Sequence, residues 1–156
     1  MRRLLVALLA ISLPVALQAH SGHSFAPPGP GIAPKEDLLV PPADAARYVV
    51  VSDSAQHGQQ WRWTLPDGRI AYRHSQSLRG WITETDELTT VGPDGRPTKI
   101  AVRGYTDEGD ATEDFSVDAN GIARWKTSVD EGSAPLGNKR YSTYGGPLLA
   151  SALDVE

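Results

Sequence analysis

The run Trp61-Arg62-Trp63-Thr64-Leu65-Pro66-Asp67-Gly68-Arg69-Ile70-Ala71-Tyr72-Arg73-His74 decides how this chain is read. Trp61, Trp63 and Leu65 alternate with Arg62 and Thr64, and after the Pro-Asp-Gly triplet Ile70, Tyr72 and His74 alternate with Ala71 and Arg73. A period of two residues is the signature of a strand with two unlike faces. Between the stretches, Pro66 presets its φ and Gly68 accepts the positive φ that a tight reversal requires. The same chemistry returns at Pro93-Asp94-Gly95 and at Asn120-Gly121, so reversals recur about every 26 residues through 58–128, room for two strands and their connections each time.

Working outward, Arg47-Tyr48-Val49-Val50-Val51-Ser52 is β-branched enough to be a first strand. Leu78-Arg79-Gly80 breaks the run after Tyr72, and Trp81 to Val91 resumes as a long strand. There Ile82 and Leu88 share a face with Glu84 and Asp86, an imperfect phase that predicts a bulge or register slip near Thr85. Thr98 to Tyr105 puts Ile100, Val102 and Gly104 together, Ala111 to Asp118 puts Phe115 and Val117 together, and Ile122 to Ser128 completes the series. Six or seven strands joined by short connections predict an all-β fold over 46–130: an antiparallel meander forming a curved sheet, an open barrel or a small sandwich.

The flanks read differently. Arg2 and Arg3 precede an apolar run from Leu4 to Leu17, and Ala19 is small enough for a cleavage site, so 1–19 reads as a signal peptide rather than a spanning helix. Its removal takes away two arginines and no acid, moving the formal charge from −4 to −6. The mature chain is then acidic, without a basic block for nucleic acid and without a stable membrane anchor. It has no cysteine, hence no disulfide framework. A periplasmic or secreted location is expected. Residues 20–45 carry six prolines (27, 28, 30, 34, 41 and 42) and read as a linker, in which Leu38-Leu39-Val40 is an apolar patch suited to docking on the domain that follows. Residues 131–156 read as loop followed by a short helix opened by Pro147 and running through Leu153. So short a helix needs a buried face; it either caps the sheet or leads into a further domain, and the second is expected.

Signatures of chemistry are sparse. No Gly-x-Ser-x-Gly elbow and no phosphate-binding Gly-x-x-x-x-Gly-Lys-[Ser/Thr] loop occurs. His20 and His23 lie close to the expected mature N-terminus, where an amine and imidazoles form a weak metal-binding candidate. Asp107, Glu108, Asp110, Glu113 and Asp114 lack the order of a calcium loop and read as a solvated hairpin tip. Glu84 and Asp86, two apart, read as outward-facing surface charges rather than a catalytic pair. Trp61, Trp63, Tyr72, Trp81 and Trp125 all fall on expected strands. They are the candidate binding residues for an apolar or carbohydrate ligand, although a domain of this size is expected to use such side chains first as core.

Taken in order, the signal peptide, the proline-rich spacer, Tyr48-Val49-Val50-Val51, the Asp-Gly hairpins, Gly121-Ile122-Ala123-Arg124-Trp125 and the Tyr-rich stretch running into Leu148-Leu149-Ala150 resemble the N-terminal β domain of exported bacterial proteins of the metal-dependent amidohydrolase family. The resemblance covers about residues 46–153. It implies that hydrolysis of an amide or ester by metal-bound hydroxide belongs to a TIM-type barrel. The His-x-His pair of that barrel is absent: His20, His23, His57 and His74 are the only histidines, and none matches a catalytic position. The barrel, and any divalent metal, would lie beyond Glu156, leaving this chain as a non-catalytic accessory piece whose partner is that downstream domain. The other reading is a free-standing periplasmic protein holding a ligand on its sheet.

Overall fold

A computed structural model describes residues 37–52, 55–143 and 146. The stretch expected to be a signal peptide, most of the expected linker with His20 and His23, and the helix expected after Pro147 fall outside the described residues.

Among the described residues, nine antiparallel strands form one sheet that does not close: β1 (Ala46–Ser52), β2 (Ala55–Thr64), β3 (Ile70–Leu78), β4 (Trp81–Val91), β5 (Pro97–Thr106), β6 (Gly109–Asp110), β7 (Glu113–Val117), β8 (Ile122–Thr127) and β9 (Glu131–Pro135). Eight follow one another across the sheet in chain order, and the two-residue β6 folds back on the end of β5. This is the all-β meander expected, in its open, single-sheet form. Two strands were not expected: the two-residue β6, in a stretch that reads as an acidic connection, and β9. The segment 131–135 reads as loop because Gly132, Ser133 and Pro135 are poor strand formers, yet β9 pairs with β8 along its length. Gly132 is there for space: a Cβ would run into the Trp125 indole, which lies across it.

The three turn triplets share one geometry. The Gly68 amide donates to Leu65 O at 2.9 Å, Gly95 to Gly92 O at 3.0 Å and Gly121 to Asp118 O at 2.9 Å, with the three glycines at φ 85°, 79° and 74°. A turn closed by a left-handed glycine is the three-residue hairpin loop. An aspartate steadies each loop, with Asp67 and Asp94 accepting from the amides of Arg69 and Arg96 at 3.1 Å and Asp118 from those of Asn120 and Ile122. Between β3 and β4 the reversal takes two residues, Arg79 and Gly80, both at positive φ.

Register partners share a face, so the ladders divide the side chains into two sets. On one, the Phe115 face, lie Tyr72, His74, Thr85, Glu87, Thr89, Ile100, Val102, Glu113, Phe115, Ala123 and Trp125. On the other, the Asp86 face, lie Trp61, Trp63, Arg73, Glu84, Asp86 and Arg103. The apolar core is small: Ile100, Val102, Phe115 and Ala123 are buried, with Val117, Trp125, Leu136 and Tyr141 packed against them. Burial of such side chains contributes about 1.5–3 kcal/mol each. Nine buried polar or charged side chains accompany this core, among them Arg73, Glu84, Asp86, Glu87 and Glu113, so polar pairing decides how the middle of the sheet holds together.

The register slip expected near Thr85 does not occur, since β3, β4 and β5 pair without a break through that residue. The phase of β4 is real. Ile82, Glu84, Asp86 and Leu88 do share a face, and it is a buried one at Glu84 and Asp86, which are 6% and 0% exposed. Their reading as outward surface charges is therefore corrected: both carboxylates are inside because arginines meet them there.

Candidate functional site

The middle of β4 is where the polar groups converge. On the Asp86 face, the Arg73 guanidinium donates to Glu84 Oε2 and to the carbonyls of His74 and Thr85, and Ser75 Oγ donates to Glu84 Oε1 at 2.7 Å. Both members of this ion pair are nearly enclosed. Two residues on, Arg103 grips Asp86 with both prongs, Nε to Oδ1 at 3.1 Å and Nη2 to Oδ2 at 2.6 Å. The fork geometry strengthens such a pair, and the Asp86 carboxylate holds the half-exposed guanidinium above its ordinary pKa.

Asp86 does a second thing. Its Oδ2 accepts the Leu39 amide at 2.8 Å, while Arg103 Nη2 reaches Asp37 O at 3.3 Å, and Leu38 between them is buried. The expected docking of the Leu38-Leu39-Val40 patch is thus made by Leu38, with Val40 left exposed. The next residue of β4, Glu87, faces the opposite way and holds the other end of the described chain. Thr89 Oγ1 donates to Glu87 Oε1 at 2.7 Å, Thr143 Oγ1 to Oε2 at 3.4 Å, and a Cβ at Gly146 would come within 2.6 Å of that oxygen. Upstream in the same segment, Tyr141 stacks on Phe115 with ring centroids 4.1 Å apart, and its hydroxyl donates to Glu113 Oε1. Burial and the Glu113 carboxylate push the Tyr141 phenol well above its ordinary pKa. Glu113 therefore leaves the acidic group read as a solvated hairpin tip: it is buried, whereas Glu108 and Asp114 are exposed.

Beside Glu87 on the Phe115 face, two buried polar atoms have no hydrogen-bond partner among the described residues, His74 Nδ1 and Thr85 Oγ1, and Tyr72 Oη is buried beside them. His74 and Thr85 are register partners, and Tyr72 lies two residues along β3. His74 Nε2 contacts Gln76 Oε1 at 3.2 Å; an amide oxygen only accepts, so Nε2 carries the proton and Nδ1 is an unused acceptor. Burial depresses the His74 pKa and raises that of Tyr72, keeping both neutral. At the far end of the β1–β2 hairpin, Ser52 Oγ lies 2.6 Å from His57 Nε2. Among the described residues no carboxylate is bonded to that imidazole, and the pair ties the two strands of the hairpin together. Nor, among the described residues, do three or more His, Cys, Asp or Glu side chains gather to hold a metal ion.

The five aromatic candidates are not brought to one groove. Trp61 and Trp63 share the Asp86 face and are half-buried, whereas Tyr72, Trp81 and Trp125 lie on the Phe115 face. Tyr72 is enclosed, Trp81 is exposed at the start of β4, and Trp125 donates its indole N–H to Asp130 at 2.9 Å. Of the tryptophans expected to serve first as core, Trp125 packs half-buried against the cluster of Ile100, Val102, Phe115 and Ala123, whereas Trp61 and Trp63 are half-buried outside it and Trp81 is exposed. Sequence reading passed over Arg73, Arg103, Glu87 and Tyr141. The available signal was the phase of β4, where acids in step with Ile82 and Leu88 call for cations in step on the neighbouring strands. Compared with known protein families, with characterised proteins and with solved structures, the chain matches none.

Proposed function

We propose that this chain is a non-catalytic β-sheet module, the N-terminal accessory domain of a periplasmic or secreted amidohydrolase-like protein, with metal-dependent hydrolysis belonging to a barrel encoded after it. One observation supports the non-catalytic part of the reading above all. The buried carboxylates are committed to holding the fold: Glu84 to Arg73 and Ser75, Asp86 to Arg103 and the Leu39 amide, Glu87 to Thr89 and Thr143, Glu113 to Tyr141. A general acid or base needs an open side toward a substrate, and these face arginines, hydroxyls and backbone. The amidohydrolase part rests on the resemblance of residues 46–153. Its test is the coding sequence past Glu156. The reading expects an open frame with a His-x-His pair at the end of a first barrel strand, and a stop codon directly after Glu156 would overturn it.

A second reading, a free-standing protein that binds a carbohydrate or other ligand on its sheet, is favoured by Trp61 and Trp63, two half-buried indoles on the Asp86 face of β2 whose rings suit stacking against a sugar. The same stop codon would promote it.

A further inference from the structure

The two edges of the sheet are built differently. At one, β9 is five residues long, ends in Pro135 and places Glu131 against Lys126 at 3.4 Å. Short length, proline and charge are the devices by which an edge is closed to further pairing. At the other, β1 runs for seven residues, Ala46-Arg47-Tyr48-Val49-Val50-Val51-Ser52, with one charge and no proline. Tyr48, Val49 and Val51 are 47%, 49% and 63% exposed. Among the described residues β1 pairs with β2 alone. The bulge in that hairpin adds its extra residue, His57, to β2, so β1 itself stays unbroken. A long apolar edge whose outward backbone groups meet no strand among the described residues is a template for one more strand.

We infer that the occupant is a second copy of this chain, added antiparallel through β1 across a two-fold axis at Val49. The sequence of β1 is complementary to itself in that register. Val49 faces its own counterpart, Tyr48 faces Val50, Arg47 faces Val51 and Ala46 faces Ser52. The two Arg47 side chains fall four positions apart, roughly 13 Å at strand rise and beyond the screening length of about 8 Å at physiological salt. No like charges oppose, Val49 and Val51 of both copies make one apolar stripe, and the symmetric contact closes after two chains. Head-to-tail pairing of β1 with β9 would meet Pro135 and Glu131 instead. Seven residues a side is a small interface, so the dimer exchanges with monomer in the micromolar range. This inference is independent of the proposed function.

Sedimentation velocity of the mature chain across a micromolar concentration series tests it. The wild-type chain is expected to pass from monomer to dimer and no further. Val49→Lys and Val49→Asp, at a site exposed in the monomer, should each weaken the dimer at least tenfold by setting like charges face to face. Mixing the two variants should restore a heterodimer. Val51→Glu, which places a carboxylate opposite Arg47 twice, should tighten the dimer and serves as the check should a Val49 variant fold poorly. A wild-type chain monomeric throughout, a dimer indifferent to Val49→Lys, a variant mixture that stays monomeric, or growth into an open series of larger species would overturn the inference.

Discussion

His74 shows what a single side chain in this sheet costs and what it controls. It is 4% exposed, burial depresses its pKa, and the groups around it are Gln76, Arg73 and Glu84, with Thr85 as its register partner. A histidine held neutral in the fold, with a pKa below its unfolded value of about 6.5, contributes full stability above that value. As pH falls through 6.5 toward the depressed pKa, the unfolded chain takes up the proton first and stability drops, by up to about 1.4 kcal/mol per pH unit. Urea denaturation between neutral and mildly acidic pH should show this loss, and His74→Gln should flatten it; an unchanged slope in the variant would assign the loss to another group. The sequence carried no sign of this burial. A histidine on an alternating strand fits either face, and the enclosure of both faces of β3 and β4 is made by segments distant in the chain. Glu84 and Asp86 were legible only in part: the phase of β4 calls for cations, but the arginines that supply them lie 11 and 17 residues away, on the neighbouring strands.

At the scale of elements the sequence was most legible where backbone chemistry is local. Pro-Asp-Gly and Asn-Gly specify their own turns through φ and through one aspartate side chain, and all three hairpins form where those residues stand. β9 was not legible because its strand character comes from pairing with β8 and from the fit of Gly132 under Trp125, neither of which is written in 131–135 alone. Gly104 is the most demanding position inside a strand. It has φ 120°, faces Thr85 across the ladder, and an added Cβ would collide with the backbone at Glu84 and Thr85. Conformational strain and a backbone that must move add together there, so Gly104→Ala should cost about 3 kcal/mol or more. The comparison is Gly68→Ala, at positive φ but in open space, expected to cost about 1 kcal/mol. Chemical denaturation of the two variants gives the ordering, and equal losses would mean that the close approach of β5 to β4 is not as described.

For the whole molecule, the organising feature is the adjacent pair Asp86 and Glu87. Because neighbouring residues of a strand face opposite ways, two carboxylates in the middle of β4 hold two segments on two faces: residues 37–39 through the Leu39 amide and Arg103, and residues 141–143 through Thr143, with Tyr141 and Glu113 alongside. The apolar cluster lies on strands β5, β7 and β8 and what packs on them, while the buried side chains of β4 are polar or charged, so the central sheet depends on these polar latches. That division of labour gives Glu84, Asp86, Glu87 and Glu113 a part in holding the sheet and its flanking segments together. Hydrogen exchange at the Leu39 amide tests it most directly, in the wild-type chain and in Asp86→Ala. The reference is the Leu136 amide, bonded to Gly121 O at 2.9 Å and remote from Asp86 in the chain. A strongly protected Leu39 amide is predicted for the wild-type chain, exchanging at least tenfold faster in Asp86→Ala while the Leu136 amide is unchanged. A Leu39 amide that exchanges freely in the wild-type chain, or one that is unmoved by the loss of the Asp86 carboxylate, would contradict the latch.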